Sequence, residues 1–197
     1  MKTVACLIPL SWEVVPRQFF FSFSAMLMYS QGKYHMLMLT ARGASIANMH
    51  EKMVEAALKA NVDYIFHVDA DEVYPNDTPE RLIKHIDDGK DVVFGLVLSN
   101  ARDEYVAYEF QENPLKLVPS DIKPNSGIVE VGCTGMGGLM VNPKVYEKLD
   151  KPYFTSPFFK HAPDTSLCYQ CKQKGIKMWV DTDLHYGHIV PHVKYPQ

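Results

Sequence analysis

The stretch His67-Val68-Asp69-Ala70-Asp71 places two carboxylates two residues apart, directly after the apolar run Tyr64–Val68. On an extended backbone, residues i and i+2 point to the same side. Two carboxylates side by side repel unless one is protonated or a cation lies between them. Hard divalent ions such as Mg²⁺ or Mn²⁺ take carboxylate oxygens and keep coordination positions open for phosphates. In open α/β sheets, ligands bind beyond the carboxyl ends of the strands, where this pair would sit. The competing reading is a solvated turn in which Asp71 caps the following segment.

Fewer residues elsewhere carry chemistry. Cys168-Tyr169-Gln170-Cys171 has CxxC spacing, but zinc needs two further ligands and the chain has no second such pair. Two small apolar residues on one helix face is the simpler reading. The remaining cysteines are Cys6, in an apolar run, and Cys133, beside glycines. This usage fits a reducing, cytoplasmic setting better than a disulfide framework.

The elements needed to position the acidic pair follow from pattern. Thr3–Leu10 reads as a buried strand and Pro16–Ser30 as a helix whose block Phe19, Phe20, Phe21 and Phe23 packs on the sheet. Tyr34–Thr40 is a second strand. Ile46–Ala60 is a helix with Ser45 as N-cap, its face made by Ile46, Met49, Met53, Ala56, Ala57 and Ala60. Tyr64–Val68 is the third strand. The next helix is capped by Thr78 or by Asp77 with Glu80, and Asp91–Leu98 is the fourth strand. This alternation predicts a largely parallel sheet with helices on both faces.

The second half differs. It reads as a hairpin over Tyr105–Phe110 and Leu115–Val118, then a strand over Ile128–Val131. A glycine-rich stretch and a short helix at Pro143–Leu149 follow, then a helix over Asp164–Lys174 with Asp164 as N-cap, and a last strand at Met178–Val180.

Composition sets the class. The 197 residues are 47% hydrophobic and 22% charged, which suits one globular domain over 1–197 and excludes disordered and collagenous chains. A net charge of −3 argues against nucleic-acid or membrane-surface binding driven by charge. The apolar N-terminal stretch stops at Pro9, so a signal peptide is not predicted. Phe19–Met28 contains serines and is about half the ~20 residues that span a bilayer, so no membrane segment is expected.

Three segments in order carry a resemblance. They are Tyr64–Asp71; Gly135-Met136-Gly137-Gly138-Leu139-Met140-Val141-Asn142-Pro143 with the turn Pro152-Tyr153-Phe154; and Pro163–Cys168 followed by Lys174–Asp181, with Gly187-His188-Ile189 at the end. Together they resemble the GT-A glycosyltransferases, especially the family 2-like, nucleotide-sugar-dependent members.

The resemblance implies a single Rossmann-like α/β domain with a mostly parallel central sheet and a small antiparallel element. Residues 1–100 would form the nucleotide half, and 101–197 the acceptor and catalytic half. It implies sugar transfer from a nucleotide-diphosphate sugar to a glycan or other hydroxyl acceptor, with Mn²⁺ or Mg²⁺ and inversion by an aspartate base.

Residue by residue, Asp71 would bind the metal, and Asp69 would bind the ribose or reach the metal through water. His188 would complete the coordination, unless it is a packing histidine. Asp164 would be the general base, although a helix N-terminus lowers its pKa. Trp12, in Ser11-Trp12-Glu13, would stack on the base or cover the core. Gly137 and Gly138, with Gly135, would let backbone approach the donor sugar or form a bulge. The loop Tyr153–Phe159 would offer rings to sugar or act as a lid, with Lys160 and His161 near phosphate or acceptor.

Pro163-Asp164 stands where the family has Glu-Asp, and Met49-His50 where many members have Arg-Asn, with Arg42 as an earlier substitute for nucleotide contact. Two other functions compete. A nucleotidyltransferase or phosphohydrolase could use the same metal–diphosphate chemistry, but Ser11-Trp12-Glu13 lacks the glycines of a phosphate loop. The other is a nucleotide-sugar-binding module without catalysis.

Overall fold

A computed structural model describes residues 1–10, 14–43, 45–99, 104–113, 115–159, 162–190 and 192–194. The first half runs β1 (Thr3–Pro9), α1 (Arg17–Ser30), β2 (His35–Ala41), α2 (Ile46–Lys59), β3 (Tyr64–His67), β4 (Glu72–Val73), α3 (Thr78–Asp87) and β5 (Val92–Leu96). The second half runs β6 (Ala107–Gln111), β7 (Lys116–Pro119), β8 (Ile128–Val131), β9 (Cys133–Thr134), β10 (Leu139–Val141), α4 (Lys144–Lys148), α5 (Pro163–Gln173), β11 (Met178–His185), β12 (Gly187–Val190) and β13 (His192–Lys194).

The chain forms the expected α/β fold around a seven-stranded sheet of order β2-β1-β3-β10-β5-β11-β8. β2, β1 and β3 are mutually parallel, and so are β5 and β11. β10 enters antiparallel between β3 and β5, and β8 lies antiparallel on β11, so the sheet is mixed. Small sheets β13-β12-β4 and β7-β6-β9 flank it. The hairpin of β6 and β7 is the antiparallel element expected after residue 100.

Central strands are continuous apolar runs because both faces are covered. Val4–Pro9 and Tyr64–His67 are buried at every position. Ser45 caps α2 as expected, its hydroxyl accepting from Asn48 N–H at 3.3 Å.

Several local expectations are corrected. Phe19 and Phe23 stack in the core, but Phe20 and Phe21 are exposed, because a helix turns only one stripe of a four-aromatic block inward. Asp77 holds the N-cap position of α3 without a side-chain hydrogen bond, and Thr78, inside the helix, bonds the Pro75 carbonyl. α5 begins at Pro163 with Ala162 as N-cap, so Asp164 lies within the first turn. Proline suits that first position, where no intrahelical N–H is needed. β11 continues to His185, and β12 and β13 occupy the tail. Tyr153 and Phe154 are buried against Tyr146 rather than free to stack on sugar; Phe158 remains exposed.

All four cysteines are free and buried. Among the described residues, no helix is long and apolar enough to cross a membrane.

Candidate active site

β3 ends at His67, and the chain turns through Asp69-Ala70-Asp71 before β4. The buried Tyr74 hydroxyl clamps this turn, accepting from Asp69 N–H at 3.0 Å and donating to the Asp69 carbonyl at 3.1 Å. β12 pairs with β4, opposing His188 to Glu72, and Ile189 N–H donates to the Asp71 carbonyl at 2.7 Å. The tail of the chain is thereby fastened to the acidic turn.

The turn opens on a cleft of about 500 Å³ lined by Pro9, Leu10, His50, Asp69, Asp71, Met136, Pro163 and Asp164, among others. Asp69, Asp71 and Asp164, distant in sequence, therefore share one cleft. His188 joins them from the side: its Nε2 is 3.6 Å from Asp71 Oδ2, and its Nδ1 is 3.0 Å from the Leu98 carbonyl. A carbonyl only accepts, so Nδ1 carries a proton and donates it there. In the neutral ring this leaves the Nε2 lone pair toward Asp71.

Burial raises the Asp69 carboxyl to about 7, and Asp71 and Asp164 add to the rise while His188 opposes it. Burial also pushes Glu72 well above the carboxylate range, helped by Asp69 and Asp71. Its Oε2 has no partner among the described residues. Burial works against a charged His188, but the Asp71 carboxylate and the Leu98 carbonyl outweigh it and raise its pKa. Asp164 Oδ1 accepts from Thr165 N–H at 2.7 Å. Its pKa is nonetheless raised, because burial outweighs the backbone hydrogen bonds that lower it. That reverses the direction expected from the helix N-terminus alone.

Two carboxylates and an imidazole oriented by a backbone carbonyl form a donor set that suits Mn²⁺ or Mg²⁺. Among the described residues, no group of three or more such side chains is close enough to hold an ion as it stands. Asp71 and His188 face each other as a pair.

The glycines are placed by packing. A Cβ on Gly137 would lie 2.7 Å from Glu72 Oε1 and 2.8 Å from Asp69 Oδ2. Gly138 has φ +83°, and a Cβ there would meet the Tyr186 ring at 2.1 Å. Met136, just before them, lines the cleft. Arg42 is exposed and is not among the cleft-lining residues. His185 donates from Nε2 to the Thr182 carbonyl at 2.8 Å. Trp12 with its neighbours Ser11 and Glu13, and Lys160 and His161, lie outside the described residues.

Sequence reasoning assigned no role to two side chains here. Glu72 directly follows the acidic pair, and its adjacency was the available signal. His50 is fully buried on α2 and lines the cleft. Its position three residues before Met53, which is buried on the same helix, put it on the inward face, a signal present in the helical spacing.

A family model described as "Glycosyl transferase family 2" matches residues 48–149. Two solved structures are similar. The crystal structure of A197 from STIV is 18% identical at a TM-score of 0.70, with 96% of this chain and 86% of that chain covered. TarS 1-349 from S. aureus is 13% identical at a TM-score of 0.58, with 94% of this chain and 59% of that chain covered. At these identities the likeness concerns the fold. No curated protein sequence matches the chain.

Proposed function

Since the chain belongs to glycosyl transferase family 2, we propose that it transfers a sugar from a nucleotide-diphosphate sugar to an acceptor hydroxyl within this cleft. The observation that carries the reading is the convergence of Asp69, Asp71 and Asp164 on one cleft at the carboxyl end of β3. Asp69, Asp71 and His188 would hold a divalent cation, which when bound supplies positive charge to the diphosphate leaving group.

In this reading the bond between sugar C1 and the diphosphate oxygen breaks, and the acceptor oxygen bonds to C1. Asp164 takes the acceptor hydroxyl proton, and inversion follows if the acceptor attacks from the face opposite the diphosphate. Its raised pKa makes Asp164 a better base than an exposed carboxylate. Gly137 leaves room for the two carboxylates beside it to remain in place. The nucleotide half would lie within 1–100 and the acceptor half within 101–197, with Trp12 and Arg42 available to the nucleotide and Gly138 holding the turn.

A screen of nucleoside diphosphates and nucleotide sugars by thermal shift, with and without Mn²⁺, tests the reading. Metal-dependent stabilisation by one nucleotide class, followed by slow hydrolysis of the matching nucleotide sugar, is expected. No response to any nucleotide in either condition would overturn it.

A further inference from the structure

Behind the acidic cleft runs a buried polar chain that the transfer chemistry above does not use. His67 Nε2 lies 2.7 Å from the Tyr146 hydroxyl, and His67 Nδ1 lies 3.1 Å from His50 Nδ1. All three side chains are essentially inaccessible to water. The His50 ring also packs on Phe154, with centroids 5.4 Å apart. His50 Nε2 has no partner among the described residues.

Hydrogen-bond accounting fixes the tautomers. Both rings are fully buried and, among the described residues, bond only to each other and to the Tyr146 phenol, and burial lowers His50 to about 4, so both are neutral. One proton lies between the two Nδ1 atoms. If His67 Nδ1 donates it, His67 Nε2 accepts from the Tyr146 O–H, and His50 must carry its own proton on Nε2. Every group is then satisfied except the His50 Nε2–H. If His50 Nδ1 donates instead, His67 Nε2–H points at the Tyr146 oxygen. The buried phenol proton then has no acceptor among the described residues, and His50 Nε2 is an unpaired acceptor as well. The first wiring leaves fewer groups unsatisfied and is the favoured one.

An unpaired buried donor is costly and needs an explanation. His50 lines the same cleft as Asp69 and Asp164, and bulk water does not reach its Nε2. Supplying that acceptor from the cleft requires that binding shift the wall enough to open it onto the ring edge. We propose that His50 is a substrate-binding residue whose Nε2–H donates to an oxygen of the nucleotide sugar, with His67 and Tyr146 as positioning residues that hold its tautomer. This rests on the nucleotide-sugar reading above. The acceptor oxygen belongs either to the diphosphate or to the sugar, and both present the same chemistry to a neutral N–H.

Long-range ¹⁵N–¹H NMR of the histidine rings in the full chain, titrated with UDP, GDP, CDP and dTDP and then with the matching nucleotide sugars, tests this without a variant. The expected result is an Nε2–H tautomer at His50, an Nδ1–H tautomer at His67, and a shift of the His50 Nε2 resonance on binding. A shift with the diphosphate alone assigns a phosphate oxygen; a shift only with the sugar assigns a sugar oxygen. Calorimetry should show binding about tenfold weaker in His50→Phe. His50→Gln, whose amide N–H falls near the position of Nε2, should restore it. Tyr146→Phe, outside the cleft lining, should give mixed tautomers and a smaller loss in the same direction. An Nδ1–H tautomer at His50, or nucleotide binding that neither shifts His50 nor weakens in His50→Phe, overturns the proposal and leaves the transfer reading standing. Absence of binding by every nucleotide removes both.

Discussion

The His188 imidazole stands 3.6 Å from the Asp71 carboxylate with its Nδ1 held at 3.0 Å by the Leu98 carbonyl. A strand from the tail, paired to β4, brings the ring to the acidic turn. The contact is too long for a strong direct hydrogen bond and leaves Nε2 directed at a carboxylate oxygen.

This arrangement predicts metal-assisted nucleotide binding that depends on both partners. Asp71→Asn should weaken Mn²⁺-dependent binding of the responsive nucleoside diphosphate by at least about tenfold, the size expected when a charged ligand is lost. His188→Phe should act in the same direction. Calorimetry with and without Mn²⁺ measures the effect; metal dependence that persists unchanged in both variants removes the pair as ligands.

Asp164 should separate binding from turnover. Asp164→Asn keeps the size of the side chain and the acceptor oxygen for Thr165 N–H, but loses the basic carboxylate. Turnover should fall by about 10²- to 10⁴-fold, the usual contribution of a general base, while affinity for the nucleotide stays within about twofold. Steady-state kinetics with the identified donor checks this, and wild-type kcat in the variant would exclude the role.

Much of this arrangement can be read from sequence where the signal is local. Ser45 caps α2 through its own side chain, and Tyr64–His67 declares itself by continuous apolarity. The acidic pair follows that strand directly, so its place at the strand end needs no tertiary information. The rest depends on contacts between distant segments. Asp164 sits in the first turn of α5 rather than at its cap because Pro163 takes the first position, and proline beside aspartate leaves the cap ambiguous. Phe20 and Phe21 show that an aromatic block does not say which two rings face outward. The pairing of β12 with β4, which places His188, involves a two-residue strand with no propensity of its own. The His50–His67 contact joins a helix to a strand, and neither segment alone announces it.

The Arg81–Asp181 pair should be a main electrostatic tie between α3 and β11. Arg81 reaches both carboxylate oxygens, at 3.2 and 3.0 Å, and His85 Nε2 adds a contact at 3.2 Å. Asp181 is buried while Arg81 is partly exposed. Arg81→Leu should cost about 3 kcal/mol, because it leaves a buried carboxylate with only His85 and the Asp183 N–H. The double variant Arg81→Leu with Asp181→Leu should lose less than the sum of the single changes, since no orphan charge remains. Urea unfolding of the four proteins gives the coupling; strict additivity would contradict it.

Acid should destabilise the protein through His50. Its folded pKa is lowered to about 4 by burial, whereas the unfolded chain has an ordinary histidine. Below about pH 6.5 the unfolded state binds a proton that the folded state excludes, so stability is lost as pH falls from about 6.5 to about 4. The full effect is about 3 kcal/mol for this one group. The carboxyls with raised pKa values, Glu72 and Asp69, work in the opposite direction, so the comparison must be between proteins. His50→Gln should unfold with a flatter pH dependence over that window, measured by urea titration at several pH values. Parallel pH profiles for the two proteins would show that His50 takes up its proton in the folded state.

Gly138 should be irreplaceable for two independent reasons. Its φ of +83° is a conformation that an L side chain adopts at a cost of roughly 1–2 kcal/mol. A Cβ there would also fall 2.1 Å from the Tyr186 ring. That ring is fully buried, and its hydroxyl donates to the Gly138 carbonyl at 3.0 Å, so it has nowhere to move. Gly95 presses on the same ring from the other strand, where a Cβ would lie 2.3 Å away. Overpacking of this kind costs about 1–3 kcal/mol beyond the backbone strain. Gly138→Ala should therefore lower stability by about 3 kcal/mol or more. Tyr186→Phe added to it should give no rescue, because the ring carbons make the clash. Measured against Tyr186→Leu alone, Gly138→Ala should cost less than it does in the wild type, because the clashing ring is gone. Thermal and urea melts of each double variant against its own single variant at position 186 distinguish the terms: an equal cost of Gly138→Ala with Tyr, Phe or Leu there would assign the whole effect to the backbone.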